Sequence, residues 1–357
     1  MKAWRDSATL ILAARQGRKR SDAVSDSAFQ YDYKLLNLKR HKNATFLPGA
    51  YVFPGGVTEP SDADLKWNKL FSGFGFDGNS FTPLFARNTA RPPIFKARRN
   101  ELPREISLRI TAIRETFEEC GVLMCRRAAK KGTLTEWAES MVVDDMKNWQ
   151  GKVHDDATEF YRMCEGLQCY PDIWALHEWS NWLTPTTFAK RFDTIFYMAC
   201  TPVQPFAEFE SQEMEGLKWL DPHELLSSLE KYQLQPPQHY EAARIAKFES
   251  LDNLLDFAVA RSKIGVHLNF PVKIRLSDGY VMVFPGDSMY PEEVSLTDKV
   301  VLDRTHMTMA EFRDASPVKN RMERYSLDVV TLNVENVDSK DGHLSPFPVE
   351  TVQPKTA

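Results

Sequence analysis

Arg114-Glu115-Thr116-Phe117-Glu118-Glu119-Cys120-Gly121-Val122 decides how this chain reads. At roughly 100° per residue, with Ile113 as the zero of the wheel, Ile106, Ile110 and Phe117 fall within about 60° of it. Glu115, Glu118 and Glu119 gather on the far side, at about 140–240° on the same geometry. Their i,i+3 and i,i+4 spacings repel on a helix surface. Gly121 marks the C-terminal stop, so Glu118 and Glu119 occupy the last turn, where the macrodipole disfavours anions. A solvated acidic face is the ordinary explanation of such a pattern. A hard divalent cation held by the carboxylates is the functional one, because it removes both penalties.

Two features upstream favour the second explanation. Phe53-Pro54-Gly55-Gly56 predicts a strand that breaks into a loop whose paired glycines admit close backbone approach. The following Val57-Thr58-Glu59-Pro60-Ser61-Asp62 supplies two more carboxylates. With these residues the chain resembles the Nudix hydrolases, whose signature runs Gly, five residues, Glu, seven residues, then Arg-Glu-apolar-x-Glu-Glu-x-Gly-apolar. Gly56 is followed by five residues and Asp62, and Arg114 to Val122 match the second half, with Thr116 at the first apolar position. The chain departs from the pattern twice: Asp62 replaces the Glu, and 51 residues separate it from Arg114. A coenzyme A diphosphatase subgroup of the family carries an insertion at this place. The chain resembles that subgroup in Phe46-Leu47-Pro48-Gly49-Ala50-Tyr51-Val52-Phe53-Pro54-Gly55-Gly56 and from Arg109 to Leu123. Trp182-Leu183-Thr184-Pro185, Arg191-Phe192-Asp193-Thr194, Phe284-Pro285-Gly286-Asp287 and Tyr290-Pro291 extend the resemblance over about residues 5–295.

Composition sets the boundary conditions. With 43% hydrophobic and 26% charged residues, the 357-residue chain has enough apolar material for one large or two ordinary domains. A net charge of −4 gives no electrostatic case for a nucleic-acid polymer or a membrane surface. The five cysteines (Cys120, Cys125, Cys164, Cys169, Cys200) show no zinc-like pair of pairs. Their odd number suggests reduced thiols in an intracellular compartment, with Cys164 and Cys169 near enough in sequence to meet. No apolar run approaches the ~20 residues of a membrane span. The run Ala8-Thr9-Leu10-Ile11-Leu12-Ala13-Ala14 between Arg5 and Arg15 is read as a first strand rather than an import signal. The subgroup's association with peroxisomes and mitochondria suggests those compartments, although Lys355-Thr356-Ala357 is not a Ser-Lys-Leu type address.

The resemblance implies a Nudix α/β/α sandwich with a mixed sheet, a long insertion inside the Nudix box and a C-terminal extension. Residues 1–265 are assigned to the Nudix domain, 266–335 to a β-rich extension, and 336–357 to a polar tail expected to lack order. Strands are predicted at 5–15, 33–39, 50–53, 175–183 and 191–201, with another at Leu217-Lys218-Trp219-Leu220. Helices are predicted at 104–120, after Asp221-Pro222, and at 238–248 and 250–262. Residues 16–33 read as a polar loop with the basic run Arg18-Lys19-Arg20. The insertion 62–103 reads as an ordered excursion with little regular structure of its own, emerging where it can form a lid or wall of an acyl site. Residues 133–168 read as helical, with Trp137, Met141, Val142, Met146 and Trp149 as a core stripe.

Chemistry follows from the resemblance. Glu115, Glu118 and Glu119 are expected to hold Mg²⁺, with Mn²⁺ as the alternative, and Arg114 to orient Glu115 by a charge-assisted hydrogen bond. Glu115 and Arg114 thereby join the catalytic set. The general base comes from a separate loop in this family; Glu213 is preferred among Glu208, Glu210, Glu213 and Glu215, with Glu210 second. Gly55 and Gly56 are expected at the substrate, with Gly56 offering a backbone carbonyl or making room beside the metal. Arg40 (with Lys39 and Lys42) and Arg191 are candidate phosphate contacts, weighed against solvated loop cations and a structural pairing of Arg191 with Asp193. Phe46, Tyr51, Trp182 and Phe188 are candidate adenine-stacking residues, although aromatics in strands are usually core. The expected reaction is hydrolysis of the pyrophosphate bond of coenzyme A or acyl-coenzyme A to 3′,5′-ADP and (acyl-)4′-phosphopantetheine. The alternatives are a Nudix hydrolase acting on NADH or ADP-ribose, and a Nudix scaffold that binds nucleotides without cleaving them.

Overall fold

The structure is a computed structural model and describes residues 4–16, 31–44, 47–88, 90–127, 135–299, 301–325, 329–339 and 342–352. Arg18-Lys19-Arg20 and Phe46 lie outside the described residues. The apolar run near the N-terminus forms the strand Arg5–Arg15, buried on both faces as a central strand must be. Its side chains alternate: Leu10 and Leu12 enter one core, Ile11 and Ala13 the other. The strand pairs in parallel with Phe192–Thr201 and antiparallel with Tyr33–Arg40 and Gly55–Val57. His177–Leu183 and Leu268–Asn269 extend the sheet past Phe192–Thr201; Tyr51–Val52 and Met214–Leu220 pair with Tyr33–Arg40. The sheet is therefore mixed and has eight strands.

Helix Arg104–Cys120 packs in the first core with Ile106, Ile110, Ile113 and Phe117. Helices Pro236–Ile245 and Leu251–Ser262 fill the second core with Tyr240, Ala242, Leu254 and Leu255. This is an α/β/α sandwich. The Asp221-Pro222 start is as expected: Pro222 opens the helix Pro222–Ser227 and the Asp221 carboxylate accepts from Glu224 N. A second, six-stranded sheet follows in the order Val301–Asp303, Val272–Arg275, Tyr280–Val283, Lys319–Arg324, Val329–Glu335, Val349–Val352. Its Met282, Phe284, Met322 and Leu332 join Trp182 and Tyr240 in one core, so this sheet packs directly on the sandwich.

Three expectations are corrected. Residues 62–103 hold more regular structure than expected: helix Lys66–Gly73 and short 3₁₀ turns at Gly78–Leu84 and Pro93–Phe95 bury Trp67, Leu70, Phe71, Phe81 and Phe95 in the first core. Trp67, Leu70 and Phe71 stand at i,i+3,i+4, a helical signal hidden by the surrounding Pro, Asn and Gly. Arg91 of this segment makes two hydrogen bonds to the buried Glu178, of 2.8 and 2.6 Å, which fasten it to the sheet. Within 135–168, helix occurs only at Met146–Asp155 and Thr158–Gly166. Met141 instead bridges to Leu123, and Asp145 takes a left-handed φ of 60° that blocks helix upstream. Val142, expected in the core stripe, is exposed. Finally, the polar stretch after 336 contributes the strand Val349–Val352, paired antiparallel with Val329–Glu335.

Cys164 and Cys169 do meet, and Cys125 joins them. Strand Cys125–Arg126 pairs with Tyr170–Pro171, which brings three buried sulfurs within 4.8 Å of one another. All five cysteines are free and buried.

Candidate active site

Gly121, with φ 68°, ends helix Arg104–Cys120, and its N–H donates to Phe117 O at 2.8 Å. The stop leaves Glu118 and Glu119 in the final turn. Both are largely buried, beside Glu115, in the wall of a cavity of about 1380 Å³. Arg114 stands among them with every nitrogen engaged. Its Nε donates to Asp62 Oδ1 at 2.7 Å, Nη1 to Glu118 Oε1 at 2.6 Å, and Nη2 to Asp62 Oδ2 and the Val57 carbonyl. Nη2 is also 3.0 Å from Glu115 Oε1. Asp62 is as buried as Arg114; it accepts from Thr111 Oγ1 at 2.8 Å and from Glu59 N at 3.0 Å. The residue that departs from the family's Glu therefore points away from the cavity and fixes the arginine.

The strand Gly55–Val57 completes the site. Gly55 N–H donates to Glu119 Oε2 at 2.8 Å. A Cβ on Gly56 would lie 2.4 Å from a Glu115 carboxylate oxygen, and one on Gly55 2.4 Å from Ala8 O and 2.6 Å from Thr9 Cα. The two glycines let the strand lie close to the first strand on one side and to the carboxylates on the other. Gly55→Ala is expected to cost about 2–4 kcal/mol, because backbone rather than a movable side-chain tip blocks the new methyl. Chemical denaturation tests this; stability within about 0.5 kcal/mol of the parent, the ordinary range for a neutral substitution, would disprove the packing argument.

Electrostatics at the site are unfavourable for the bare carboxylates. Burial raises Glu119 well above the usual carboxylate range, helped by the charge on Glu115 and opposed by the Gly55 N–H and Arg40. Burial also raises Glu118, against the pull of Arg114, and lifts Glu115 to about 8. Burial alone would lower Arg114, yet Asp62, Glu115 and Glu118 outweigh it and hold the guanidinium firmly charged. One arginine saturated by three carboxylates leaves negative charge to spare. A set of oxygen donors in this state fits a hard divalent cation.

The structure brings most of the expected residues to this cavity. Arg40, Gly55, Gly56, Arg114, Glu115, Glu118, Glu119, Arg191 and Glu213 all line it. Glu213 is exposed at its rim, and its charge acts on Glu118 and Glu119. Glu210 also lines it, but its carboxylate accepts from Gln212 N and Glu213 N and so shapes the turn. Glu208 pairs with Lys147; Glu215 pairs with Lys39 Nζ and accepts from the Lys42 backbone N–H, and neither Lys39 nor Lys42 is in the lining. Arg191 is not paired with Asp193 by any hydrogen bond described; it donates from Nε to Thr184 O at 2.9 Å and stacks over Trp4 and Phe270. Its Nη2 is buried without a partner among the described residues, and burial lowers its pKa. Of the aromatics, Phe188 lines the cavity half exposed, and Trp182 lines it while tied by Nε1 to Glu241. Tyr51 packs edge-on against Tyr232 instead. None of the described residues in 62–103 is in the lining, which corrects the lid expectation: their apolar side chains are needed in the core. Sequence reasoning missed the contribution of Pro271, Lys273, Tyr280, Met282 and Arg324 from the second sheet.

A mixed-sheet α/β/α sandwich with clustered glutamates at the end of one helix, faced by a glycine strand, defines a Nudix hydrolase. Crystallised NUDIX hydrolase from Alicyclobacillus acidocaldarius shares the fold, with a TM-score of 0.51 over 72% of this chain and 97% of that one, at 21% identity. Residues 4–245 match the NUDT19 Nudix domain and residues 274–335 the NUDT19 C-terminal domain, and the chain belongs to the NUDT19 family of Nudix hydrolases. It is 33% identical to acyl-coenzyme A diphosphatase NUDT19 of Gallus gallus over 98% of this chain and 96% of that protein. The Homo sapiens protein of the same name is 34% identical over 84% of this chain and 83% of its own length. Putative nudix hydrolase 7 of Caenorhabditis elegans is 27% identical over 95% of this chain and 96% of its own. No helix among the described residues is long and apolar enough to cross a membrane.

Proposed function

We propose that this protein hydrolyses the pyrophosphate bond of coenzyme A or its acyl esters, releasing 3′,5′-ADP and 4′-phosphopantetheine or its acyl derivative. Near full-length similarity to relatives named acyl-coenzyme A diphosphatase carries the reading. The convergence of Glu115, Glu118 and Glu119 on a cavity too large for a pyrophosphate alone supports it.

Glu115, Glu118 and Glu119 would hold Mg²⁺ or Mn²⁺, which supplies charge neutralisation at the phosphates and acidifies a water. The protein's own groups do the rest. Arg114 holds Glu115 and Glu118 in place, itself fixed by Asp62. The Gly55 N–H sets the Glu119 carboxylate. Glu213 has no described side-chain hydrogen bond and is the proposed general base. It takes a proton as water oxygen bonds to phosphorus and the bridging P–O bond breaks. Arg40, acting on Glu119 from the cavity wall, and Arg191, with its unpartnered Nη2, are the proposed phosphate contacts. Phe188 is the exposed face on which adenine would stack.

The test is incubation of the purified protein with Mg²⁺ or Mn²⁺ and separate samples of coenzyme A, an acyl ester, NADH and ADP-ribose, with products resolved by mass. Formation of 3′,5′-ADP from the coenzyme A compounds is expected. Preferential cleavage of NADH or ADP-ribose would replace the substrate assignment, and no turnover of any compound would leave a binding protein.

A further inference from the structure

The second sheet gives the cavity a cationic wall whose side chains are set by register. Tyr280 and Met282 are two apart on one strand and share a face; Tyr280 lies opposite Arg324, and Met282 opposite Lys273. The alternate residues Val272, Ile274, Val281 and Val283 are buried against Phe312 on the other side. A one-residue slip would expose that apolar row, so the hydrophobic pattern itself directs Lys273, Tyr280 and Arg324 toward the cavity. Tyr280 holds both cations. Lys273 Nζ lies 3.8 Å from its ring centroid, and Arg324 Nη1 donates to its Oη at 3.2 Å. Among the described residues Lys273 has no carboxylate partner. An ammonium kept on an aromatic ring, facing a cavity and unneutralised, is arranged for an anion that the protein itself does not supply.

We infer that Lys273 and Arg324, positioned by Tyr280, form a phosphomonoester subsite that holds the 3′-phosphate of the coenzyme A moiety. The inference rests on the substrate reading above. In such a substrate the pyrophosphate belongs at the glutamates, and the pantetheine and acyl portions carry no charge. The ribose 3′-phosphate is the one anion left, and its charge of about −1.5 to −2 at neutral pH matches two cations. NADH and ADP-ribose lack this group. The C-terminal sheet thereby becomes the selectivity element of the enzyme, separate from the hydrolytic carboxylates.

The decisive experiment compares kcat/KM for coenzyme A and 3′-dephospho-coenzyme A in the full chain and in Lys273→Met and Arg324→Met. The parent should prefer coenzyme A. Each variant should lose roughly ten- to hundredfold on coenzyme A, the scale of a charge-assisted hydrogen bond, while 3′-dephospho-coenzyme A changes by less than about twofold. Inhibition by 3′,5′-ADP should weaken in parallel and inhibition by 5′-AMP should not. Equal losses on both substrates, or no loss on either, overturn the subsite. Lys273 is a half-buried surface side chain, so Lys273→Met decides the matter if Arg324→Met fails to fold. A parent enzyme that cleaves neither compound overturns the substrate reading instead, an outcome distinct from a parent that cleaves both equally.

Discussion

Glu118→Gln and Glu119→Gln should each lower kcat by roughly 10²–10³, the usual effect of removing one group that stabilises charge in a transition state. The amide preserves the shape of the side chain and removes only its charge. Stability should move the other way in metal-free protein. Burial raises the folded-state pKa of Glu119, and of Glu115 to about 8, above the ordinary value of 4.5. A raised carboxylate favours folding fully below about pH 4.5, and that contribution is lost as pH climbs through the folded value. Between those limits the folded chain must hold a proton that the unfolded chain has released, which works against the fold, and Glu119→Gln relieves it. Thermal melts of metal-free protein at pH 8 should place the variant above the parent, with the gap closing toward pH 5. Wild-type turnover in both variants would end the assignment of these carboxylates as the hydrolytic centre.

Asp62→Ala should be the most damaging substitution outside the carboxylate cluster. The Asp62 carboxylate neutralises Arg114 at two nitrogens and also accepts from Thr111 and Glu59. Neither Asp62 nor Arg114 is more than 2% exposed, so removal leaves a guanidinium without water to replace its partner. Breaking a buried pair from one side costs about 3–5 kcal/mol. Urea unfolding measures this directly. Activity should fall as well, although Asp62 does not line the cavity, because Arg114 would no longer hold Glu115 and Glu118 in register. A stability loss under about 1 kcal/mol, the range of an exposed ion pair, would show that the pair is not the keystone of this site.

The helix that bears the site was legible because its signals are local. Isoleucines and Phe117 at helical spacing gave the buried stripe, and Gly121 gave the stop. The long apolar run gave the first strand, whose alternation into two cores is a matter of period two. Arg40, Arg191 and Glu213 were chosen on residue type and neighbourhood, and all three line the cavity. The insertion was misread because scattered Pro, Gly and Asn interrupt any longer period, while the three apolar side chains that make it helical span little more than one turn.

The sequence by itself determined the Nudix class, the carboxylate cluster and the strand that faces it, since each depends on spacings of a few residues. Tertiary structure alone decided that Asp62 reaches Arg114 across 51 intervening residues, closing the interrupted box. It decided too that the insertion is core rather than lid, and that the C-terminal sheet supplies part of the cavity wall. These outcomes depend on sheet order and on which faces share a core. Such choices are made by burial of apolar surface between segments distant in sequence, and no local period records them.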